Sequence, residues 1–230
     1  MADQILIDVP HQEQEWSWDC GLASVKMIFQ YYSIPYRKDF NEKKKALSIH
    51  TSVWTIDLFR LLRAYNIPCR FATITLGANK DYKSMSFYTE AFRKDECRIN
   101  SSISNAVEGG LGVEKRHVTL SEIIEHLTKN LPIIALIDSS NLKCLQCHNL
   151  DILSSICLAP CMKGYQGHFI VVRGFHKQKE IIYYSNPAKS TDLCCCTFKV
   201  FEECRTSFGT DEDLIFIDKE HTSDMCYSLL

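Results

Sequence analysis

The pattern of apolar positions places the start of a helix at a cysteine. Apolar side chains follow Cys20 at helical spacing and predict a helix that continues to about Ser33: Leu22, Val25, Phe29 and Tyr32. A cysteine in the first turn lies beside unpaired backbone N–H groups and the positive end of the helix dipole, which favour the nucleophilic thiolate. The alternative is a buried cysteine that packs as a small apolar side chain. The pattern alone leaves both interpretations open.

Further apolar patterns predict helices in the first part of the chain. An apolar stripe over residues 54–65 predicts a second helix with Ser52 as its N-cap. Residues 79–110 mix aromatic and charged side chains, which indicates short helices that cover a substrate groove. Thr119 and Glu122 have the spacing of a capping box ahead of a third helix, which is expected to end near Asn130.

Strands are predicted mainly in the second half of the chain. Apolar runs of strand length indicate a series of strands, and a short helix is expected at residues 200–206; the strand segments are 70–76, 132–137, 168–175, 180–185 and 214–217. The three consecutive cysteines at 194–196 fit a strand in which alternation buries either the outer two or the middle one. They are interpreted as core residues.

Two of these strands carry a histidine and an asparagine. His168 opens an apolar run, Asn186 follows the next run, and Gly174 with the polar residues after 175 indicates a hairpin turn between them. Antiparallel pairing brings the start of the first strand beside the end of the second, so His168 and Asn186 are expected side by side. An imidazole there can take the proton of Cys20, and the carboxamide can hold the ring in the required tautomer.

A glutamine completes the candidate catalytic set. Gln14 lies six residues before Cys20, and a side-chain amide that loops back to the sulfur can donate a hydrogen bond to an oxyanion. The backbone N–H of Cys20 supplies a second donor. Gln12 is the alternative to Gln14. The predicted catalytic residues are therefore Cys20, His168, Asn186 and Gln14.

Composition narrows the class of protein. With 230 residues and 46% hydrophobic content, the chain can bury a substantial core, and residues 1–230 are expected to form a single domain. A net charge of −2 gives no electrostatic footprint for nucleic acid. No apolar run is long enough to span a membrane and no secretory signal is visible, so we expect a soluble cytoplasmic or nuclear protein.

The acidic residues 211–213 are interpreted as a solvated turn rather than a magnesium site.

A cysteine-rich insertion at residues 139–166 interrupts the sheet directly before His168. It contains four cysteines in two close pairs, which fit a structural zinc loop with His148 as a substitute ligand: Cys144, Cys147, Cys157 and Cys161. Reduced thiols and a disulfide are the alternatives. Twelve cysteines in an intracellular chain favour thiols or metal ligands over a disulfide framework.

Short motifs around the candidate residues resemble those of papain-like cysteine peptidases, in particular the bacteriocin-processing group. The motifs are Gln14 together with residues 19–23 (DCGLA), 167–171 (GHFIV) and 186–188 (NPA). Asn186 departs from the aspartate that this group has at the position before Pro-Ala, although papain itself uses an asparagine. The resemblance implies an α+β papain-like fold in which an N-terminal helical part packs on a C-terminal antiparallel sheet.

A second resemblance spans nearly the whole chain. Residues 18–23 (WDCGLA), 54–58 (WTIDL), 165–171 (YQGHFIV) and 207–213 (SFGTDED) are similar to the guanylyl cyclase domain-containing protein 1 family and its plant relatives. The family name implies cyclisation of GTP with Mg²⁺. The motifs imply a thiol hydrolase that acts on a peptide or isopeptide and needs no catalytic cofactor. A non-catalytic interaction domain that keeps the fold is the third alternative.

Overall fold

The computed structural model describes residues 2–85, 87, 89–147 and 164–219, with backbone only at 84, 89–91 and 93. In chain order the elements are β1 (Gln4–Leu6), α1 (Cys20–Tyr31), α2 (Phe40–Ala46), α3 (Thr55–Ala64), β2 (Cys69–Thr73), a 3₁₀ helix (Lys80–Ser84), α4 (Thr89–Glu108), β3 (Val113–Lys115), α5 (Leu120–Leu127), β4 (Ile133–Asp138), β5 (Gly167–His176), β6 (Ile181–Ser185), β7 (Cys194–Thr197), α6 (Phe198–Arg205) and β8 (Leu214–Ile217). No helix in the described part of the chain is both long and apolar enough to cross a membrane.

The strands form one mixed sheet in the order β3-β2-β8-β4-β5-β6-β7, and β1 pairs with β5. Every pairing is antiparallel except that of β2 with β3. Strands β4 and β8 are buried along their whole length, which explains their continuous apolar sequences. The centre of the sheet is therefore covered on both faces.

Helix α1 packs against β5, and a glycine sets the distance between them. A Cβ atom at Gly21 would lie 2.9 Å from side-chain carbons of both Leu58 and Phe169. A larger residue would therefore force the side chains of Leu58 or Phe169 to move, so glycine allows α1, α3 and β5 to pack closely at this point. This packing places the first turn of α1, and with it Cys20, at the start of β5.

The α+β papain-like fold class predicted from the sequence is confirmed, with three differences in detail. The sheet also takes strands β1, β2 and β3 from the N-terminal half. Residues 79–110 contain a 3₁₀ helix and the 20-residue helix α4 rather than short helices alone. Ser52 does not cap α3, because the helix begins at Thr55 and the Asp57 side chain accepts a hydrogen bond from the Trp54 N–H. The capping box of Thr119 and Glu122 is confirmed.

Candidate active site

Cys20 is the first residue of α1 and lies against the start of β5. Its side chain is 8% exposed, and its sulfur accepts a hydrogen bond from the backbone N–H of Phe169. Burial raises the pKa of the Cys20 thiol, Asp19 adds to this, and the backbone N–H groups of Phe169 and Gly21 act in the opposite direction. The loss of water on burial outweighs the effect of the helix start, which favours the neutral thiol in the free protein. Cys20 is a neutral thiol that needs a base.

His168 and Asn186 are in direct contact. His168 is the second residue of β5, and Asn186 directly follows β6, which pairs antiparallel with β5. The distance from His168 Nε2 to Asn186 Oδ1 is 2.8 Å. Burial lowers the pKa of His168 and the contact with Asn186 raises it, with burial the larger effect. The imidazole is consequently neutral near pH 7.

The hydrogen bonds of Asn186 fix the tautomer of His168. The backbone N–H of Ala188 donates to Asn186 Oδ1 over 2.9 Å, so this atom of the carboxamide is the acceptor oxygen. His168 Nε2 must then be the donor. In a neutral imidazole that donates through Nε2, the lone pair is on Nδ1. The asparagine thus leaves Nδ1 as the basic nitrogen of the ring.

Gln14 is tied to the loop after Asn186, whereas Gln12 is held elsewhere. The Gln14 backbone N–H donates to Pro187 O over 2.9 Å. Its side-chain Nε2 donates to Trp16 O over 2.7 Å, and an amide nitrogen carries a second hydrogen. Gln12 instead accepts from Gln30 Nε2 at 3.2 Å. Gln30 lies ten residues into α1, about 15 Å along the helix from Cys20.

A cavity of about 430 Å³ opens beside Cys20. Its size falls in the range of small-molecule and side-chain pockets. The cavity lining combines aromatic residues with hydroxyl and carboxyl groups and includes Trp18, Cys20, Thr51, Ser52, Trp54, Phe87, Gly167, Phe169, Asp211 and Asp213. The sulfur of Cys20 therefore has open space next to it, as an acyl group requires.

Gly167 allows aromatic rings to approach the residue before His168. A Cβ at Gly167 would lie 2.8 Å from the Tyr165 hydroxyl oxygen and 3.0 Å from ring atoms of Phe87. The rings of Phe87 and Tyr165 meet edge to face, with centroids 5.2 Å apart. Phe87 lines the cavity, and Tyr165 packs against it.

The acidic turn at 211–213 faces inward, which corrects the prediction of a solvated turn. Asp211 accepts hydrogen bonds from the Tyr82 hydroxyl at 2.8 Å and Asn79 Nδ2 at 3.0 Å. Asp213 Oδ1 is buried and has no hydrogen-bond partner among the described residues. Burial raises the pKa of Asp213 to about 8, and Asp211 adds to the effect. The alternation of Asp211 and Asp213 directly before a buried strand is the signal in the sequence that could have indicated a shared inward face.

Asp138 is a residue that the sequence analysis missed. This buried residue ends β4 opposite Gly167, and its Oδ1 accepts from the N–H groups of Ser140 and Gln166. Its Oδ2 accepts from the Ser207 hydroxyl at 3.1 Å. Asp138 therefore fastens the chain on both sides of the cysteine-rich insertion directly before His168. A carboxylate at the end of an apolar strand is the only local signal for this role.

Two of the four predicted metal ligands lie in the described residues. Cys144 and Cys147 lie close to Cys194, so that all three sulfur atoms are within 4.8 Å of one another. Cys157, Cys161 and the substitute ligand His148 lie outside the described residues. The cysteines at 194–196 form β7 and are all buried, not alternately buried as predicted.

A family model described as guanylylate cyclase matches residues 9–217, which is most of the chain. The chain belongs to this family. Guanylyl cyclase 1 of Arabidopsis thaliana is 33% identical over 216 residues, which are 94% of this chain and 77% of that protein. The family resemblance inferred from the motifs is thereby confirmed.

Among solved structures, the guanylylate cyclase family chain is similar to a C39-like peptidase from Bacillus anthracis. The TM-score is 0.53 at 13% sequence identity, and the match covers 94% of this chain and 98% of that one. At this level of identity the likeness concerns the fold alone. This member of a family named for a nucleotide cyclase thus has a peptidase-like fold.

Proposed function

We propose that this protein is a thiol hydrolase that uses Cys20, His168 and Asn186 to cleave a peptide or isopeptide bond. The observation that carries the proposal is the His168–Asn186 hydrogen bond of 2.8 Å next to a helix-start cysteine that lines an open cavity. A nucleophile, a base and a group that orients the base are the minimum set for acyl transfer by a thiol. The peptidase-like fold supports the same proposal.

The first step is attack of the Cys20 sulfur on the substrate carbonyl carbon. Because Cys20 is a thiol and His168 is neutral, Nδ1 takes the thiol proton as the carbon–sulfur bond forms. The same proton then passes to the leaving nitrogen as the carbon–nitrogen bond breaks. Water attacks the resulting thioester with His168 as base, which releases a carboxylic acid and restores the thiol. The net reaction consumes one water molecule and needs no cofactor.

The negative oxygen that forms in each step needs hydrogen-bond donors. The backbone N–H of Cys20 lies in the first turn of α1, where N–H groups have no partner within the helix. The second N–H of the Gln14 side chain is the other proposed donor. The hydrogen bond from the Gln14 backbone to Pro187 connects the segment of Gln14 to the loop after Asn186. The proposed oxyanion donor and the residue that orients His168 are therefore held together.

Guanylyl cyclase activity is the competing candidate, and it rests on the names of the family and of the Arabidopsis relative. Cyclisation of GTP needs carboxylates that hold Mg²⁺ and groups that neutralise the phosphates. The cavity carries the carboxyl groups of Asp211 and Asp213, of which Asp211 already accepts hydrogen bonds from Tyr82 and Asn79. The described lining of the cavity contains no lysine or arginine that could neutralise phosphates.

Turnover by the full chain tests the proposal. Wild type and Cys20→Ala are incubated near pH 7 with a panel of fluorogenic peptide amides, and in parallel with GTP and Mg²⁺. We expect peptide cleavage that falls at least about a thousandfold in Cys20→Ala. Cys97→Ala removes an exposed thiol and is the matched control.

Two results would contradict the proposal. Peptide cleavage that persists in Cys20→Ala would place the chemistry elsewhere. Formation of cyclic GMP at equal rates in wild type and Cys20→Ala, without peptide cleavage, would favour the cyclase and a nucleotide site that does not use the thiol.

A further inference from the structure

Three cysteine sulfurs meet at the β7 end of the sheet. The Sγ atoms of Cys144, Cys147 and Cys194 all lie within 4.8 Å of one another, and Cys147 Sγ is 3.8 Å from Cys194 Sγ. Two sulfurs bound to one tetrahedral Zn²⁺ at about 2.3 Å are about 3.8 Å apart. No other set of three His, Cys, Asp or Glu side chains within the described ranges comes this close together.

Two segments far apart in the sequence supply these thiols. Cys194 is the first residue of β7 and is fully buried, while Cys144 and Cys147 lie in the loop after β4. The Leu145 N–H donates to Cys195 O over 2.8 Å, so this loop runs along the open edge of β7. Two intervening residues between Cys144 and Cys147 are the usual spacing of a zinc-binding cysteine pair.

We infer that Cys144, Cys147 and Cys194 are ligands of a structural Zn²⁺ that joins the loop after β4 to the edge strand β7. Thiolate ligands in tetrahedral arrangement select Zn²⁺ over harder cations. Three thiols in mutual contact cannot all be used by disulfides, because one disulfide leaves the third sulfur unpaired. The sequence analysis predicted four ligands that all lie in the insertion, whereas here Cys194 of β7 is one of the ligands.

A buried hydroxyl next to the cluster supports this inference. Tyr184 lies directly opposite Cys194 in the β6–β7 pairing. Its hydroxyl is buried and interacts with the side chain of Cys144. A metal-bound thiolate is a hydrogen-bond acceptor, and partners of this kind orient ligands and strengthen metal binding. The Tyr184 hydroxyl is thus placed to donate a hydrogen bond to the zinc-bound sulfur of Cys144.

The test is the metal content of the full chain, purified under reducing conditions and measured by inductively coupled plasma mass spectrometry. We expect about one zinc per chain in the wild type. In Cys144→Ser, Cys147→Ser and Cys194→Ser, the zinc content after dialysis should fall to less than about a tenth of the wild-type value. Tyr184→Phe should keep the zinc, and in competition with a chelator its zinc affinity should be about tenfold lower than that of wild type.

Two controls separate loss of a ligand from loss of the fold. Cys69→Ser changes a buried thiol in β2, at the other side of the sheet, and should keep the zinc. The wild-type chain, stripped with a chelator and titrated with Co²⁺, should develop the intense near-ultraviolet absorption of cobalt–thiolate bonds. This second measurement holds even if a ligand variant fails to fold.

Several outcomes would overturn the inference. One is a wild-type chain that contains no zinc and shows no cobalt–thiolate absorption. Another is full zinc content in the three ligand variants. A third is a Cys147–Cys194 disulfide found by peptide mapping of protein kept under reducing conditions.

Discussion

The thiol of Cys20 and the thiols of Cys144, Cys147 and Cys194 are the same chemical group in two different surroundings. Cys20 stands at a helix start, beside a cavity and next to β5, whose second residue is His168. The other three are packed against one another at the β7 edge of the sheet. One thiol beside a base and open space suits covalent chemistry, whereas three thiols in contact suit a metal.

The comparison shows that residue type says little about the role of a cysteine. Position on a helix favours a thiolate at Cys20, yet burial raises its pKa. The neutral thiol then depends on the neutral imidazole of His168 as a base. The two regions therefore differ in the groups that surround each sulfur: a base and a cavity at Cys20, and other thiols at Cys194. Substitutions of these surrounding groups test the comparison.

Removal of the base should have the largest effect. In His168→Ala we expect the rate of Cys20 alkylation by iodoacetamide near pH 7 to fall by about a hundredfold or more, because general bases contribute effects of this size. Peptide mapping by mass spectrometry measures the rate at each cysteine. His117→Ala, which changes an exposed histidine, should leave the rate unchanged. A rate in His168→Ala equal to that of wild type would show that His168 does not act as the base for Cys20.

The pH dependence of the same reaction shows whether His168 or the solvent takes the Cys20 proton. The pKa of Cys20 is raised above its ordinary value and that of His168 is lowered. The thiol and the imidazole are then both neutral from about pH 7 to about pH 8, so the wild-type alkylation rate at Cys20 should change by less than about threefold over this range. In His168→Ala only the small thiolate fraction reacts, and the rate should rise about tenfold per pH unit. A wild-type rate that rises as steeply as that of His168→Ala would show that His168 does not take the proton.

The buried carboxyl group of Asp213 should make the stability of the protein depend on pH. Its pKa is raised from 3.8 to about 8, so the folded state binds a proton that the unfolded state has lost. Wild-type stability therefore falls as pH rises from about 4 towards 8, because the unfolded state binds fewer protons.

The neutral variant Asp213→Asn removes this pH dependence. Its free energy of unfolding, from urea titrations, should exceed that of wild type by at least about 1 kcal/mol near pH 8, and the difference should shrink towards pH 4. A wild-type advantage that grows with pH would mean that the carboxylate is well paired in the folded protein.

The smallest effect is expected where the two cysteine regions are compared directly. Cys144→Ser should lower the zinc content but leave the Cys20 alkylation rate of the folded protein within about threefold, since the fold around Cys20 is held by α1, α3 and β5 rather than by β7. Cys20→Ala should in turn keep the zinc. A loss of Cys20 reactivity in folded Cys144→Ser would show that the two regions act as one.

Local patterns in the sequence account for much of the site. The apolar spacing after Cys20 predicted α1, and the hairpin signal predicted that His168 and Asn186 would be neighbours, because a two-stranded unit is determined by contacts close in the chain. The choice between Gln14 and Gln12 could not be made from spacing, since both lie on the same short segment. It depends on contacts with Pro187 and Gln30, which are distant in sequence.

Other features depend on pairings that no local pattern contains. The carboxyl group of Asp213 is buried because β8, which follows it, inserts between β2 and β4, and the sequence does not show that insertion. Cys194 meets Cys144 because a loop follows the edge of β7. Asp138 joins two ends of an insertion that are 27 residues apart, as the Ser139–Gln166 hydrogen bond shows. The positions of Asp213, Cys194 and Asp138 all depend on contacts between segments far apart in the sequence rather than on local residue preferences.

The most direct test of the central claim is a burst experiment with p-nitrophenyl acetate, which asks whether Cys20 accepts an acyl group. The account predicts a rapid release of about one equivalent of p-nitrophenolate per chain, with the acetyl group mapped to Cys20 by mass spectrometry and the burst absent in Cys20→Ala. A release without a burst, or acetylation spread over other side chains while Cys20 stays free, would contradict it.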